Sequence, residues 1–504
     1  MPELKIVNLN MDTDRDIAIL SKDCLERFNF KVGERIILTY KERRAVVEIV
    51  GTIDKFEGSC IILPRFIVEE LNADPGDSVN AEICPPSSSM EYIRKKLDGS
   101  KLAKEEIHEI VNDVIEGRLG RTEIASFLIA EYVKGLDSEE ILYLSRAMVE
   151  SGERISFSRP VYSKHSIGGV PGNKVSLLIV PIVAADGLLI PKTSSKAITS
   201  PAGTADTMEV LADVKLEIEE FKRIVEKVGG SIVWGKALGL APADDVFAEV
   251  GYKISLNPES QMVASIMAKK AALGVNFLVM DVPYGEGSKV RDLESAVRLS
   301  RMFVELGEKL GIRVECGITY GSQPVGHAVG PALEAKEALE TLMGGGPGSL
   351  IEKSTALAGI LLEMGGKATY GNGRKRAKEI LRSGKAYEKM REIIEAQGGN
   401  PDIKPEDIPV GPLKETFYSP ADGYVAKVSN EIIKRVARAA GAPVDKGAGI
   451  LLFGKQGERV REGQPLFEIY AEKHTKLEEA CTIARTNPPV TVESTLIKRI
   501  SYYM

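Results

Sequence analysis

Between Ser163 and about Gly345, short apolar runs alternate with helical stretches and glycine-rich turns. Gly187-Leu188-Leu189-Ile190-Pro191 and Asn276-Phe277-Leu278-Val279-Met280-Asp281 are two such runs. This alternation is what most restricts the fold, because strands separated by helices are joined by crossovers. The segment therefore reads as an α/β layer with a largely parallel or mixed sheet. Its flanks differ. Residues 1–84 alternate apolar and polar positions, as in Arg35-Ile36-Ile37-Leu38-Thr39 and Ala45-Val46-Val47-Glu48-Ile49-Val50, and predict a small β-rich barrel. The Pro/Ser stretch Cys84-Pro85-Pro86-Ser87-Ser88-Ser89 closes it. A helical lobe follows over 90–155, with Ile107, Ile110, Val111 and Val114 on one face and Glu105, Glu106, Asn112 and Asp113 mainly on others. The α/β core spans 160–400, and a carboxy-terminal α/β or β-rich domain spans 411–504 after the prolines Pro401, Pro405 and Pro409. No repeat of fixed period is visible.

Composition enters as exclusion. With 504 residues, 43% hydrophobic and 27% charged, the chain has ample material for several cores, so wholesale disorder is ruled out. Lys+Arg of 66 against Asp+Glu of 72 gives −6, and aromatic residues are 6%; neither supports a general nucleic-acid partner. The most lipid-like run, Val175 to Ile190, holds Asp186 and Pro181 and is too short to span a bilayer. The start, Met1-Pro2-Glu3-Leu4-Lys5, leads into Asp12, Asp14 and Asp16 and is no secretory signal. The five cysteines form no CxxC pair, and with four histidines there is no sign of a metal site. The chain reads as cytoplasmic with reduced thiols.

The chemistry is concentrated in four segments. Lys164-His165-Ser166-Ile167-Gly168-Gly169-Val170-Pro171-Gly172-Asn173-Lys174 precedes an apolar helix-like run. Glycines turn backbone amides toward a ligand, lysines and serine add charge and donors, and a helix amino terminus adds partial positive charge. The reading is an anion cradle, against the bland one of a surface turn with solvated lysines; the GxxxxGK[ST] spacing is absent. A second such segment, Ser194 to Asp206, follows the expected strand Leu188 to Ile190 and leads into an expected helix carrying Met208, Val210 and Leu211. Two cradles suggest a ligand with two anionic groups, or two anionic ligands. On the helix Gln261 to Lys270, Ser265 and Lys269 share a face. Finally, Asp281-Val282-Pro283-Tyr284-Gly285-Glu286-Gly287-Ser288-Lys289 is a strand giving way to a glycine loop that ends in a lysine suited to phosphate.

Together with Ala241-Pro242-Ala243-Asp244 and Gln323-Pro324-Val325-Gly326, these segments resemble the thymidine phosphorylase family, and within it the archaeal AMP phosphorylase branch. The resemblance covers nearly the whole chain, with residues 1–84 as the addition typical of that branch. It implies a helical lobe (90–155, with part of 246–275) facing an α/β lobe across a cleft that closes to exclude water. The implied reaction is AMP plus phosphate giving adenine and ribose 1,5-bisphosphate, with CMP and UMP as further substrates. It implies no cofactor and no metal, phosphate being a co-substrate, and a homodimer or larger homo-oligomer. The segment Val490 to Met504, with Val490, Val492, Leu496 and Ile500, is expected against a neighbour.

Residue by residue, the resemblance assigns Lys164, Ser166, Ser176, Ser194 and Thr204 to phosphate. It assigns Gly168, Ser194, Ser195, Lys196, Ala197, Ile198, Thr199, Thr204, Ser265, Lys269 and Lys289 to AMP, with Lys196 a candidate reader of the 5′-phosphate. His165 is a candidate acid/base. Two departures stand out. Nucleoside-specific members hold an arginine on the strand before the Ser265 helix, but Phe247-Ala248-Glu249-Val250-Gly251-Tyr252 has none, which weakens a pyrimidine-nucleoside phosphorylase. The AMP branch places a proton-donating aspartate where this chain reads Ser255-Leu256-Asn257-Pro258. An amide can hydrogen-bond a base but cannot hand it a proton. Asn257 therefore orients the base, or another donor acts, or the chain binds nucleotide with impaired turnover. The metal-diphosphate chemistry of the related anthranilate phosphoribosyltransferases is a more distant alternative.

Overall fold

The computed structural model describes residues 2–7, 13, 15–54, 58–197, 200–494 and 500. The chain divides into two compact units, Met1–Gly152 with Ala241–Ser265, and Glu153–Leu240 with Ile266–Met504.

The first unit opens with a closed six-stranded barrel in the order Glu3–Val7, Cys60–Ile62, Ile17–Ser21, Arg43–Ile53, Arg35–Tyr40, Ser78–Ile83. Period-two alternation sends Leu4, Ile6, Ala18, Leu20, Ile36, Leu38, Val47, Ile49, Val79 and Ala81 inward. Closure pairs every edge, so no strand is left as a template for aggregation. Four helices follow: Ser89–Leu97, Lys104–Ile115, Arg121–Lys134 and Ser138–Glu150. The last starts at Asp137, whose side chain accepts from the backbone amides of Glu139 and Glu140, while Glu140 caps back onto Asp137. Asp113 departs from the expected polar face: it is buried and accepts from the Ser89 hydroxyl at 2.6 Å and from Arg118 at 2.6 Å, because the Pro/Ser stretch folds back over that helix. The stretch 247–252 is not a strand either. It lies in the helix Pro242–Lys253, favoured by proline in its first turn and by Asp244 and Asp245 beside the positive helix end.

The second unit carries the α/β layer. The strand Phe277–Tyr284 pairs in parallel with Arg313–Tyr320 on one side and Tyr162–Ser166 on the other. A parallel bridge, Val161 to Leu189, leads on to Ile190–Ser194, which pairs in parallel with Gly230–Trp234. Every pairing in this layer is parallel, the pure case of the expected parallel or mixed sheet. The second strand runs from Ile190 through Lys192 to Ser194 rather than over Leu188 to Ile190, since backbone pairing with Gly230–Trp234 continues past the last apolar residue. The helix after the second cradle is shorter than expected, Thr204–Met208, and Val210 and Leu211 fall in the turn beyond it.

Helices cover the layer. Ser176–Ala185 is buried almost throughout; among the described residues no helix is long and apolar enough to cross a membrane. Leu293–Leu310 starts at Asp292, which caps the Ser295 amide at 2.7 Å, and ends at the left-handed Gly311. The carboxy-terminal residues build a four-stranded antiparallel sheet with Ala328–Val329 as one edge, Ala328 lying opposite Leu451. The strand Val490–Glu493 pairs with Gly423–Val428 of the same chain, and Val490 and Val492 pack on the carboxy-terminal core. Leu496 lies outside the described residues, and Ile500 is exposed.

Candidate functional site

In parallel layers, ligands collect beyond the carboxyl ends of the strands, where the order of connection reverses. Here the chain moves from Tyr162–Ser166 outward to Ile190–Ser194 and Gly230–Trp234, then returns to lay Phe277–Tyr284 on the other side of Tyr162–Ser166. The reversal falls between the strand that carries Lys164, His165 and Ser166 and the strand that carries Asp281. Two of the four segments singled out by sequence meet at that point.

The first loop is shaped by its own hydrogen bonds. Ser166 Oγ accepts from the Gly168 amide at 3.3 Å and from Asn173 Nδ2 at 3.1 Å. Gly168 and Gly169 both take positive φ, +82° and +95°. A side chain at Gly169 would stand 2.7 Å from the Lys289 backbone nitrogen, so only glycine lets the two loops touch. Lys434 of the helix Asn430–Ala439 donates to the carbonyls of Gly169 and Gly287, both at 3.3 Å, pinning them from behind. Lys289 stands exposed, and local burial together with Lys434 lowers its pKa. Ser176 is buried at the start of its helix.

Lys174 is a correction. It is no solvated cradle lysine: its Nζ is buried against Glu337 at 2.5 Å and donates to the carbonyls of Val325 and Ala328. The bend at Gly172 aims it away from the loop and ties it to the turn 325–328, which spacing could not reveal.

Beneath the loop sits a charged core. Burial alone would push Asp281 up, but Lys353 at 3.0 Å and Lys164 at 3.8 Å, with the Thr319 hydroxyl at 2.6 Å, hold its pKa at about 2. Lys164 is buried, and burial lowers its pKa to about 8 despite Asp281. His165 is depressed well below the usual histidine value by burial and then by Lys270, Lys192, Lys164 and Lys269. It is thus a neutral imidazole at neutral pH, not a ready-charged acid.

The second cradle is organised by Asp206, whose Oδ2 accepts from the Ala197 amide at 2.6 Å and the Gly203 amide at 3.0 Å. Lys446 reaches Asp206 at 3.3 Å and Glu209 at 2.8 Å. Lys196 pairs with Glu209 at 2.5 Å and lies over the Trp234 ring at 5.3 Å. A phosphate at Lys196 would compete with that carboxylate. Ser194 ends its strand, Ser195 continues the loop and Thr204 opens the short helix; Ile198 and Thr199 lie outside the described residues.

Two further residues belong to the first unit. Asn257 is exposed in the connection between Pro242–Lys253 and Glu259–Ala272, just after Ser255 at φ +56°, and Ser265 is half-buried on the latter helix. Lys269, one turn along that helix, falls in the second unit and is half-buried. Sequence reasoning gave no role to Lys192, Lys270, Asp281 or Lys353. A lysine inside a strand (Lys192) and a second lysine after Lys269 were the available signals.

The comparisons with known proteins bear on this arrangement. Three family descriptions match in order: a glycosyl transferase family helical bundle domain over 90–152, a glycosyl transferase family a/b domain over 158–387, and a pyrimidine nucleoside phosphorylase C-terminal domain over 424–490. An AMP phosphorylase of Thermococcus sibiricus is 49% identical over 98% of this chain and 99% of its own length. The chain belongs to the AMP phosphorylase family. The family members of Thermococcus kodakarensis (54% identical over 87% of this chain and 88% of that one) and Methanocaldococcus jannaschii (45% over 99% of each) agree. The anthranilate phosphoribosyltransferase of Thermus thermophilus matches with a TM-score of 0.53 at 22% identity, over 61% of this chain and 99% of that one, and shares the fold. Family membership disfavours the pyrimidine-nucleoside alternative.

Proposed function

We propose that this chain cleaves AMP with inorganic phosphate, giving adenine and ribose 1,5-bisphosphate, and that CMP and UMP are further substrates. The carrying observation is 49% identity over nearly the full length to an AMP phosphorylase, and the paired loops of one α/β layer agree with it. A phosphate oxygen forms the new bond to C1′ as the bond from C1′ to the base breaks. The bonding pair leaves with the base, which takes up a proton. The transition state resembles an oxocarbenium ion, so fixed cations near the nucleophile and an orienting frame lower the barrier more than any covalent step by the protein.

In this reading Lys164, Ser166 and Ser176 hold the attacking phosphate, with Asp281 keeping Lys164 and Lys353 in place. Gly168, Lys289 and the 194–199 segment receive the nucleotide, Ser194 and Thr204 being shared, and Ser265 and Lys269 contribute to the nucleoside part. No organic cofactor or metal enters the scheme. The thiols are free, and a cytoplasmic homo-oligomer is the expected setting. Asn257 stands at the family's proton-donor position, so turnover uses a different donor or is slow.

The test is adenine release from AMP with and without phosphate, with adenosine and uridine as controls, for the chain and for Asn257→Asp. Phosphate-dependent release from AMP, raised about 10²-fold or more by Asn257→Asp, is expected. Faster consumption of uridine than of AMP would sink the assignment.

A further inference from the structure

The helix Asn430–Ala439 presents two faces. Ile433, Val436 and Ala437 are buried in the carboxy-terminal core and account for one. Asn430, Lys434 and Arg438 recur every four residues and form a second stripe along the same helix. That stripe donates to backbone carbonyls of the α/β layer. Asn430 Nδ2 reaches the Gly321 carbonyl at 2.7 Å and that of Glu286 at 3.3 Å. Lys434 Nζ reaches those of Gly169 and Gly287, both at 3.3 Å, and Arg438 Nη1 reaches that of Ser200 at 3.5 Å.

The order along the helix matches the layer. Gly321 follows the strand Arg313–Tyr320, Glu286 and Gly287 follow Phe277–Tyr284, Gly169 follows Tyr162–Ser166, and Ser200 follows Ile190–Ser194. The strands lie side by side in that same order. The helix therefore runs across the carboxyl ends of four parallel strands and holds one or two carbonyls from the loop after each. The dimensions agree: eight residues of helix rise about 12 Å, and three strand spacings cover about 14 Å. The approach is close, because a side chain at Gly287 would stand 2.9 Å from Cβ of Asn430. Lys427, just ahead of the helix, adds an ion pair to Glu286.

The loops held in this way carry the first cradle, Lys289 and the second cradle. A peptide group is planar and trans, so a held carbonyl also fixes the direction of the amide that follows it. A loop ordered in advance spares its ligand the cost of ordering it.

We propose that the stripe Asn430, Lys434 and Arg438 is a positioning element for phosphorolysis, in which Lys434 clamps the Gly168–Gly169 loop to the loop that bears Lys289. This rests on the phosphorolysis reading and adds to it a role for the carboxy-terminal residues. Lys434 is a positioning residue, acting through two backbone carbonyls where Gly169 lies against the Lys289 backbone. Without it the two loops lose a common anchor, and AMP must order them as it binds.

The test measures adenine release across AMP concentrations for the unaltered chain, Lys434→Met, Lys434→Arg, Lys289→Met and the Lys289→Met/Lys434→Met double variant. Arg435→Met, on the exposed side of the same helix, is the control. Hydrogen exchange of the ligand-free chains reads the loops directly, and Lys434→Gln stands in if Lys434→Met does not fold. In Lys434→Met the KM for AMP should rise about 10-fold while kcat changes less than about 3-fold. Lys434→Arg should fall between the two, and Arg435→Met should match the unaltered chain. Exchange in Lys434→Met should quicken at 167–170 and 286–289 and stay unchanged in the barrel. The double variant should lose less than the product of the single losses, because both residues act through one loop. An unchanged KM, unchanged exchange at the two loops, or fully multiplicative losses would overturn the proposal. An unaltered chain that releases no adenine from AMP fails the phosphorolysis reading instead, and the exchange comparison still decides the clamp.

Discussion

Lys174 and Lys270 are the same residue type at the same 1% exposure, in the same unit, yet they do opposite things. Lys174, behind the first glycine loop, meets a carboxylate and two carbonyls and acts as a tie between Gly172 and the turn 325–328. Lys270 is buried with no hydrogen-bond partner on its Nζ, and its charge is opposed by burial and then by Lys164 and Lys269. Burial by itself therefore says nothing about role; what distinguishes a structural lysine from a strained one is whether the fold has supplied the counter-charge. A satisfied pair stiffens the scaffold, whereas an unsatisfied group carries an electrostatic cost into the folded state.

The sharpest way to break this comparison is to make the same substitution at both places. Lys174→Met strands Glu337 among buried atoms and should cost about 3–5 kcal/mol of stability. Lys270→Met removes a repelled charge and should leave stability unchanged or raised. Urea midpoints of the two variants measure this directly, and equal losses would erase the distinction. The outcome at Lys270 should also persist when Tm is read without any phosphate in the buffer, since the repulsion among the lysines needs no ligand.

A pH series gives the next largest effect. The folded pKa of Lys270, about 7, lies below the ordinary lysine value of 10.5, so between those values the unfolded chain holds more protons and stability rises with pH. Asp281, at about 2 against 3.8, contributes stability that is complete above pH 4 and lost as the pH falls through 2. The expected result is a Tm gain from pH 7 to pH 9 that is smaller in Lys270→Met. On the acid side, the stability gap between the unaltered chain and Asp281→Asn should narrow from pH 5 to pH 3. A Lys270→Met variant with the full alkaline gain would exclude Lys270 as the titrating group.

The smallest effect lies at the second cradle, where charges are paired but half in water. Lys446→Ala releases Asp206 and Glu209 and should shift stability by only about 0–1 kcal/mol. Its reading is kinetic: Glu209 would hold Lys196 alone, so the KM for AMP should rise about 2- to 5-fold with kcat little changed, at the scale of a partly exposed charge. An unaltered KM would detach Lys446 from nucleotide binding.

Much of the architecture was legible from residues alone, and for local reasons. Period-two runs such as Arg35 to Thr39 fold as barrel strands because one face of each is buried. The α/β alternation leads to a parallel layer because crossovers through helices return each strand in the same direction. The glycines of the first loop were legible because positive φ and close approach admit little else. Legibility failed where pairing outran pattern. Lys192 and Thr193 continue a strand that hydrophobicity ended at Ile190, and 247–252 is helical although the family resemblance implied a strand there. Asp113 was placed on a wet face before the fold of 87–89 covered it.

The chain itself determined which segments turn, which alternate and which carry lysines, because those properties depend on neighbours a few residues apart. Only the tertiary structure decided which lysine finds a carboxylate. Glu337 reaches Lys174 across 163 positions of sequence, and Lys192 and Lys270, from a different strand and a helix, both act electrostatically on His165. Charge compensation is a property of distance in space, and the distance between two residues far apart in sequence is set by the packing of every layer between them.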